Sequence, residues 1–489
     1  MESPKNDVRK PRSFREWIDS FIFASIFFLI LTTFLLGTFQ IPSSSMEPTL
    51  VGGDRDRDRI LVDRLSHRFD PLRRWDVVVF RYPMNRSRYF VKRIVGMPGE
   101  EIRIRRGDIY ANGTLVSKSS RVQEAFWLPV YPPSWSKEGA DQFWEGGEFE
   151  TDSLQALSIR RGESIRYIHP AGVTSDYWKE GESKVLDPVP VSDLRVGFLF
   201  LARGDGTLWL QLEDVLDGPS VRERPQRMKK RVRLELPVGV GEGELTVQYE
   251  DEMKILRKKV DGQLGAGQKV SVQLEQCDGI VRVHVKGVLA AEILLDRSYE
   301  GAYRWTEDVQ ISFGLNGCEG RVERLAIDRD IHYTGIGLLA ENRVLSVPHG
   351  RFLVLGDNSP NSQDSRKWQI RRFRYLDSKG RFLAVVDKEV GNPMNPVRRV
   401  QSGGEESIHF YDVNGVMRSL SVSRLENPEG ARIPSDLDLP TELREGLVSR
   451  SKYRHQGWEI PYIVTVPREN IVGRAFWTYF PLFRMKILR

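Results

Sequence analysis

From Phe21 to Phe39 the chain carries no charged residue, and this run constrains the fold more than any other feature. At about 1.5 Å rise per residue, roughly 19 helical residues approach the ~30 Å thickness of a bilayer core. The run predicts a transmembrane anchor over 18–39. It follows a basic tail, 1–17, that holds Lys5, Arg9, Lys10, Arg12 and Arg15. The positive-inside rule puts that tail in the cytoplasm and the remaining chain outside, as a single-pass protein of the inner (plasma) membrane with a periplasmic or other extracytoplasmic body. A cleaved signal peptide is the rival reading, but the run exceeds a usual h-region and Thr38-Phe39-Gln40 offers no small-x-small cleavage site. The Thr, Phe and Gly of Phe34–Gln40 also suit a first β-strand.

With 489 residues, 40% hydrophobic and 29% charged, the remainder is long enough for two or three globular cores. A net charge of +6 is a modest excess that suits an anionic lipid surface and does not argue for nucleic acid. Cys277 and Cys318 have no second cysteine or histidine at zinc-ligand spacing, so no metal or other cofactor is expected. In an oxidising compartment they form one disulfide or remain two buried thiols.

Directly after the apolar run comes Ile41-Pro42-Ser43-Ser44-Ser45-Met46-Glu47-Pro48-Thr49-Leu50. Alone it reads as ordinary loop. The stretches after it, Asp58–Val62, Trp75–Pro83 and Tyr89–Val95, are rich in β-branched and aromatic residues and predict strands, with a hairpin between Val77–Tyr82 and Arg88–Val95. A period of two sets Phe90, Lys92 and Ile94 on one face. A lysine held between apolar neighbours has its ammonium disfavoured by desolvation, which fits it to take a proton from a serine hydroxyl. A lysine snorkelling from a sheet edge is the plainer alternative.

Ser45-Met46-Glu47-Pro48-Thr49-Leu50, Tyr89-Phe90-Val91-Lys92-Arg93-Ile94-Val95-Gly96-Met97-Pro98-Gly99 and Gly356-Asp357-Asn358-Ser359-Pro360-Asn361-Ser362-Gln363-Asp364-Ser365-Arg366 together resemble the ordered boxes of bacterial type I signal peptidase. The resemblance implies a membrane-anchored serine endopeptidase that removes signal peptides from exported preproteins by a Ser/Lys dyad. It makes Ser45 the nucleophile and Lys92 the general base, with Ser43 joining the Ser45 N–H in an oxyanion hole. Ser362 would orient the lysine, Asp364 and Arg366 would form a structural ion pair, and Asp357 and Asn358 would support the turn. Pro42, Met46, Leu50, Phe90 and Val91 are candidate walls of the substrate pocket. Implied partners are preproteins, the lipid bilayer and the export machinery. Ser359-Pro360 departs from the Arg-Asp usual after Gly-Asp-Asn, and Arg55-Asp56-Arg57 lengthens the loop before the Asp58 strand. His67 and His349 would be needed for a Ser-His-Asp arrangement, but neither sits in a recognisable triad setting.

The expected organisation is mainly β: a catalytic core from 40–110, 345–367 and 460–481, interrupted by a β-rich insertion, 111–344, and a second insertion, 368–459. Runs such as Val196–Ala202, Leu208–Leu212, Val270–Leu274, Ile280–Val285 and Val309–Phe313, with Arg321–Tyr333 returning, predict an all-β, jelly-roll-like sandwich. Gly262–Lys269 lacks the Gly-Lys-Ser/Thr ending of a phosphate loop and reads as a turn, and Arg222–Arg233 reads as a solvated strand edge or lipid contact. His409–Met417 predicts a hairpin about Asn414-Gly415. Phe476–Phe483 is too short to span but is aromatic enough to enter a membrane interface. The competing function is an exported sandwich that binds glycans or proteins on an inactive peptidase scaffold.

Overall fold

The computed structural model describes residues 14–30, 35–53, 57–66, 69–83, 85–131, 143–146, 148–149, 156–168, 172–175, 189–217, 227–249, 254–295, 304–305, 309–336, 339–340, 343–376, 382–387, 398–400, 406–411, 417–421, 459–463 and 465–488. Helix α1 (Phe14–Ile30) is 17 residues long, and Trp17, Phe21 and Phe23 on it are exposed. The far bound of the anchor expected over 18–39 is corrected here. Among the described residues no helix is long and apolar enough to cross a membrane, and Leu36–Gln40 is strand β1. Thr38 and Phe39 favour extended backbone, and pairing with β2 (Arg59–Asp63) from Leu36↔Asp63 to Gln40↔Arg59 supplies the hydrogen bonds a continued helix would have made.

Strand β3 (Val77–Tyr82) and β4 (Asn85–Gly96) form the expected hairpin, in register from Val77↔Arg93 to Arg81↔Tyr89. They belong to one antiparallel sheet ordered β1, β2, Ile471–Phe480, β3, β4, Arg351–Leu355 and Val466–Pro467, with Lys486–Ile487 attached to Ile471–Phe480. Segments far apart in sequence therefore complete one sheet. Both of its faces are covered: Val78, Phe80 and Ile94 pack with Val354 and Trp368 on one side, while Ile60, Val62, Val77 and Val79 pack with Met46 and Leu50 on the other.

Between Lys92 and Gly356 lie two further eight-stranded sheets. One contains Leu194–Arg203, Lys269–Cys277, Ile280–Val285 and Glu319–Arg329, and the other Gly206–Asp217, Arg227–Val238, Gly243–Tyr249 and Gln310–Asn316. Leu194, Val196, Phe198 and Phe200 alternate inward from the first sheet to meet Leu208, Leu210, Leu234 and Phe313 of the second in one continuous core, the two-period signature of sheets packed face to face. Gly262–Lys269 joins Lys254–Val260 to Lys269–Cys277, as a turn between strands should. Cys277 and Cys318 are separate buried thiols. In the second inserted stretch, Glu406–Tyr411 pairs with Met417–Ser421 as a hairpin would; Asn414 and Gly415 lie outside the described residues, as do Arg222–Gln226.

Candidate active site

The serine loop is closed at its base by Asp58, whose carbonyl accepts from Ile41 N–H at 3.0 Å and whose carboxylate accepts from Val51 N–H at 2.8 Å and Arg484 Nε at 2.8 Å. Inside this closure Ser44–Met46 forms one 3-10 turn. Gly52 packs so tightly on the loop that a Cβ there would stand 2.1 Å from the Ser43 carbonyl oxygen. Met46 and Leu50 are core residues, at 1% and 0% exposure. They are corrected from pocket walls to the anchor that holds the turn down, because apolar side chains this size are drawn beneath the loop. Pro42 is exposed, and Phe90 and Val91 are half-buried.

Lys92 rises from β4 opposite Val78 of β3. Its Nζ lies 2.6 Å from Ser45 Oγ and 3.0 Å from the Val91 carbonyl oxygen, and 5.8 Å from the centre of the Phe90 ring. Ser45 and Lys92 are 8% and 4% exposed. Burial pushes the Lys92 ammonium down from 10.5 to about 8, against the opposing pull of Asp364 and Asp357 and with help from the positive charge of Arg366. The snorkelling alternative is thus not what the structure has. With the amine neutral, its N–H can donate to Val91 while its lone pair receives the Ser45 hydroxyl proton. Ser43 Oγ stands 3.2 Å from Ser45 Oγ, on the exposed side of the loop.

The Asp357–Arg366 turn closes over the same point. Asn358 donates from its backbone N–H to the Ser45 carbonyl at 3.2 Å and from Nδ2 to the Ser44 carbonyl at 3.1 Å. Asp357 accepts from Arg93 Nε at 2.9 Å and Nη2 at 2.6 Å, and Arg366 donates to Asp364 from Nε at 2.9 Å and Nη2 at 2.6 Å. All four side chains of these two ion pairs have no exposed area. Burial alone would raise the Asp364 carboxyl, yet the Arg366 guanidinium and the Gly356 N–H keep it below its ordinary value. Ser362 Oγ is buried without a hydrogen-bond partner among the described residues, so the bond to Lys92 that its expected role calls for is not made. Its hydroxyl crowds Gly356, where a Cβ would stand 2.2 Å from Ser362 Oγ and 2.4 Å from the Ser45 carbonyl oxygen.

Sequence reasoning did not single out Arg93, Gly52 or Gly356. Arg93 alternates away from Lys92 and so would face solvent if that whole face of β4 were wet, but at this end of the strand the guanidinium is entirely buried. Its adjacency to Lys92 was the available signal. His349 is exposed and stands beside Gly99; His67 lies outside the described residues. A second polar cluster was also missed: ligand-type atoms of Asp193, Cys277, Asp278 and Asp330 lie within 4.8 Å of one another. A cation could be held there, but Lys118 Nζ already sits 2.9 Å from Asp278 and 3.0 Å from Asp330.

The family model described as signal peptidase, peptidase S26, matches residues 14–140. A probable signal peptidase I-2 of Synechocystis is 32% identical over 122 residues, covering 24% of this chain and 54% of the relative. Signal peptidase I of Bacillus amyloliquefaciens is 30% identical over 118 residues, 24% of this chain and 60% of that protein, and signal peptidase I of Pseudomonas aeruginosa is 38% identical over 117 residues, 21% and 39% respectively. The amino-terminal part of the chain is thus similar to these signal peptidases, and it spans about two fifths to three fifths of their length. The Asp357–Arg366 turn lies beyond the segment matched by the family model and joins the site through the contacts above.

Proposed function

We propose that the protein is a serine endopeptidase that removes signal peptides from exported preproteins, with Ser45 as nucleophile and Lys92 as general base. The observation that carries this reading is the buried 2.6 Å contact between Lys92 Nζ and Ser45 Oγ, made by a lysine whose burial brings it to about 8. Ser45 Oγ attacks the scissile carbonyl carbon as its proton passes to Lys92 Nζ. The oxyanion is held by the Ser45 N–H and the Ser43 hydroxyl. Collapse breaks the C–N bond, the Lys92 ammonium protonates the leaving amine, and an acyl ester remains on Ser45. Lys92 then deprotonates water, which attacks the ester and frees the serine. By resemblance, the residues first and third before the cut are small.

The bilayer is proposed as the setting. Trp17, Phe21, Phe23 and Ile26 of α1 are exposed, the uncharged sequence runs on to Phe39, and Leu482, Phe483 and Ile487 add exposed apolar surface next to the sheet. In this reading the amino terminus is cytoplasmic and the catalytic sheet extracytoplasmic, where preproteins leave the export machinery.

The test is cleavage of a preprotein by the full chain in detergent, with the cut bond mapped. Ser45→Ala and Lys92→Ala should each lower the rate by at least about three orders of magnitude. Cutting by both variants at the wild-type rate would contradict the dyad, and a cut without small residues at the two positions would contradict the specificity.

A further inference from the structure

The chain leaves the two-sheet unit through Glu319–Arg329 and reaches the catalytic turn within five residues. Asp330 is fixed by Lys118 and by Gln123 Nε2 at 2.9 Å. Tyr333 donates its N–H to the Gly107 carbonyl at 3.0 Å, and its hydroxyl points at Asp357 Oδ1, 3.5 Å away. The next residue enters the turn itself: Thr334 N–H donates to Ser359 Oγ at 2.8 Å, and the two hydroxyls are 3.1 Å apart.

Both residues meet on Arg366. Its Nη1 donates to the Thr334 carbonyl at 2.9 Å and to Ser359 Oγ at 2.5 Å, with Thr334 Oγ1 also at 3.2 Å. Its Nη2 donates to the Ser359 carbonyl at 2.8 Å. A guanidinium has five N–H donors. The two aimed at Asp364 hold the ion pair, and the other three go to Thr334 and Ser359. Ser359 is also the place where this chain departs from the Arg-Asp usual in the turn it resembles.

We propose that Thr334 and Ser359 are positioning residues for the reaction at Ser45: they clamp the Arg366 guanidinium in the one orientation that covers the Asp364 carboxylate, and so fix the charge that faces Lys92. The segment leaving the two-sheet unit is thereby part of the machinery of the catalytic turn. This inference rests on the Ser45 and Lys92 reading. Without the clamp, Arg366 covers Asp364 less well, the bare carboxylate favours the Lys92 ammonium, and the base is protonated up to a higher pH.

The experiment is the pH dependence of kcat and KM for preprotein cleavage by the full chain in detergent, comparing wild type, Ser359→Ala, Thr334→Val and Thr334→Ser. The expected result for Ser359→Ala and Thr334→Val is an acidic limb displaced upward by about half a pH unit or more, with kcat at neutral pH reduced several-fold and KM unchanged. Thr334→Ser, which keeps the hydroxyl, should restore the wild-type limb. Limbs that superimpose on wild type overturn the inference, whether activity is intact or has fallen together with thermal stability. Should Ser359→Ala fail to fold, Thr334→Val and its serine rescue decide the matter. A wild type that cleaves no preprotein overturns the dyad reading and this inference with it, whereas an active wild type with unmoved variants overturns this inference alone.

Discussion

Lys92 and Lys118 are both buried lysines, yet their surroundings give them opposite properties. Lys118 is 6% exposed and bonded directly to Asp278 and Asp330. Burial opposes its charge, but Asp330, Cys277 and Asp278 outweigh burial and raise it well above 10.5. Around Lys92 the acids already belong to others, Asp357 to Arg93 and Asp364 to Arg366. Its direct partners are a hydroxyl and a carbonyl, so burial prevails and the amine falls to about 8. Burial alone does not make a base. What separates the proposed base from a structural cation is whether the nearby carboxylates are neutralised by another group.

Exchanging each lysine for methionine is the strongest way to break this comparison. Lys92→Met should abolish cleavage, by at least about three orders of magnitude, while thermal stability at neutral pH holds or rises, since a buried cation with no carboxylate of its own is replaced by an apolar chain of similar length. The sign of the linkage agrees. Between pH of about 8 and 10.5 the unfolded chain binds a proton that the folded one does not, so wild-type stability rises with pH through that window and Lys92→Met should flatten the rise. Lys118→Met should do the reverse: it leaves Asp278 and Asp330 buried without a counter-ion, a loss of about 3–5 kcal/mol in thermal or denaturant unfolding. An inactive Lys118→Met with unchanged stability would contradict the assignment of roles.

Gly356→Ala comes next. Its Cβ would meet the Ser45 carbonyl at 2.4 Å and the Ser362 hydroxyl at 2.2 Å, displacing Ser45 from Lys92 and lowering kcat by about a hundredfold. Asn358→Ala should have the smallest effect. It removes the Nδ2 bond to Ser44 but leaves the backbone bond to Ser45, so about 1 kcal/mol of stability and a few-fold in kcat are expected from unfolding curves and steady-state rates.

Ser45, Lys92, Asp364 and Arg366 could be read from the sequence because each sits in a short motif, and the β3–β4 hairpin because its β-branched runs flank a proline. Arg93, Thr334, Ser359 and Lys118 could not. Asn358 reaches Ser44 across 314 positions and Arg93 reaches Asp357 across 264, and no local pattern encodes such contacts. The period-of-two rule also misled at Arg93, because it presumes one wet face along a whole strand: Ser87 and Tyr89 are exposed on that alternation, but Arg93 is entirely buried. The apolar run carried two readings: its hydropathy suggested an anchor as far as residue 39, while the Thr, Phe and Gly of its end suggested a first strand, and that end is the strand that pairs with β2.

The most direct test of a neutral lysine beside Ser45 is the pH profile of kcat/KM for a preprotein. Lys92 must lose its proton to act, so the rate should rise from the acid side through an apparent pKa of about 8 to a plateau. An acidic limb near the ordinary histidine value of about 6.5, or no limb between pH of about 6 and 10, would contradict Lys92 as the base.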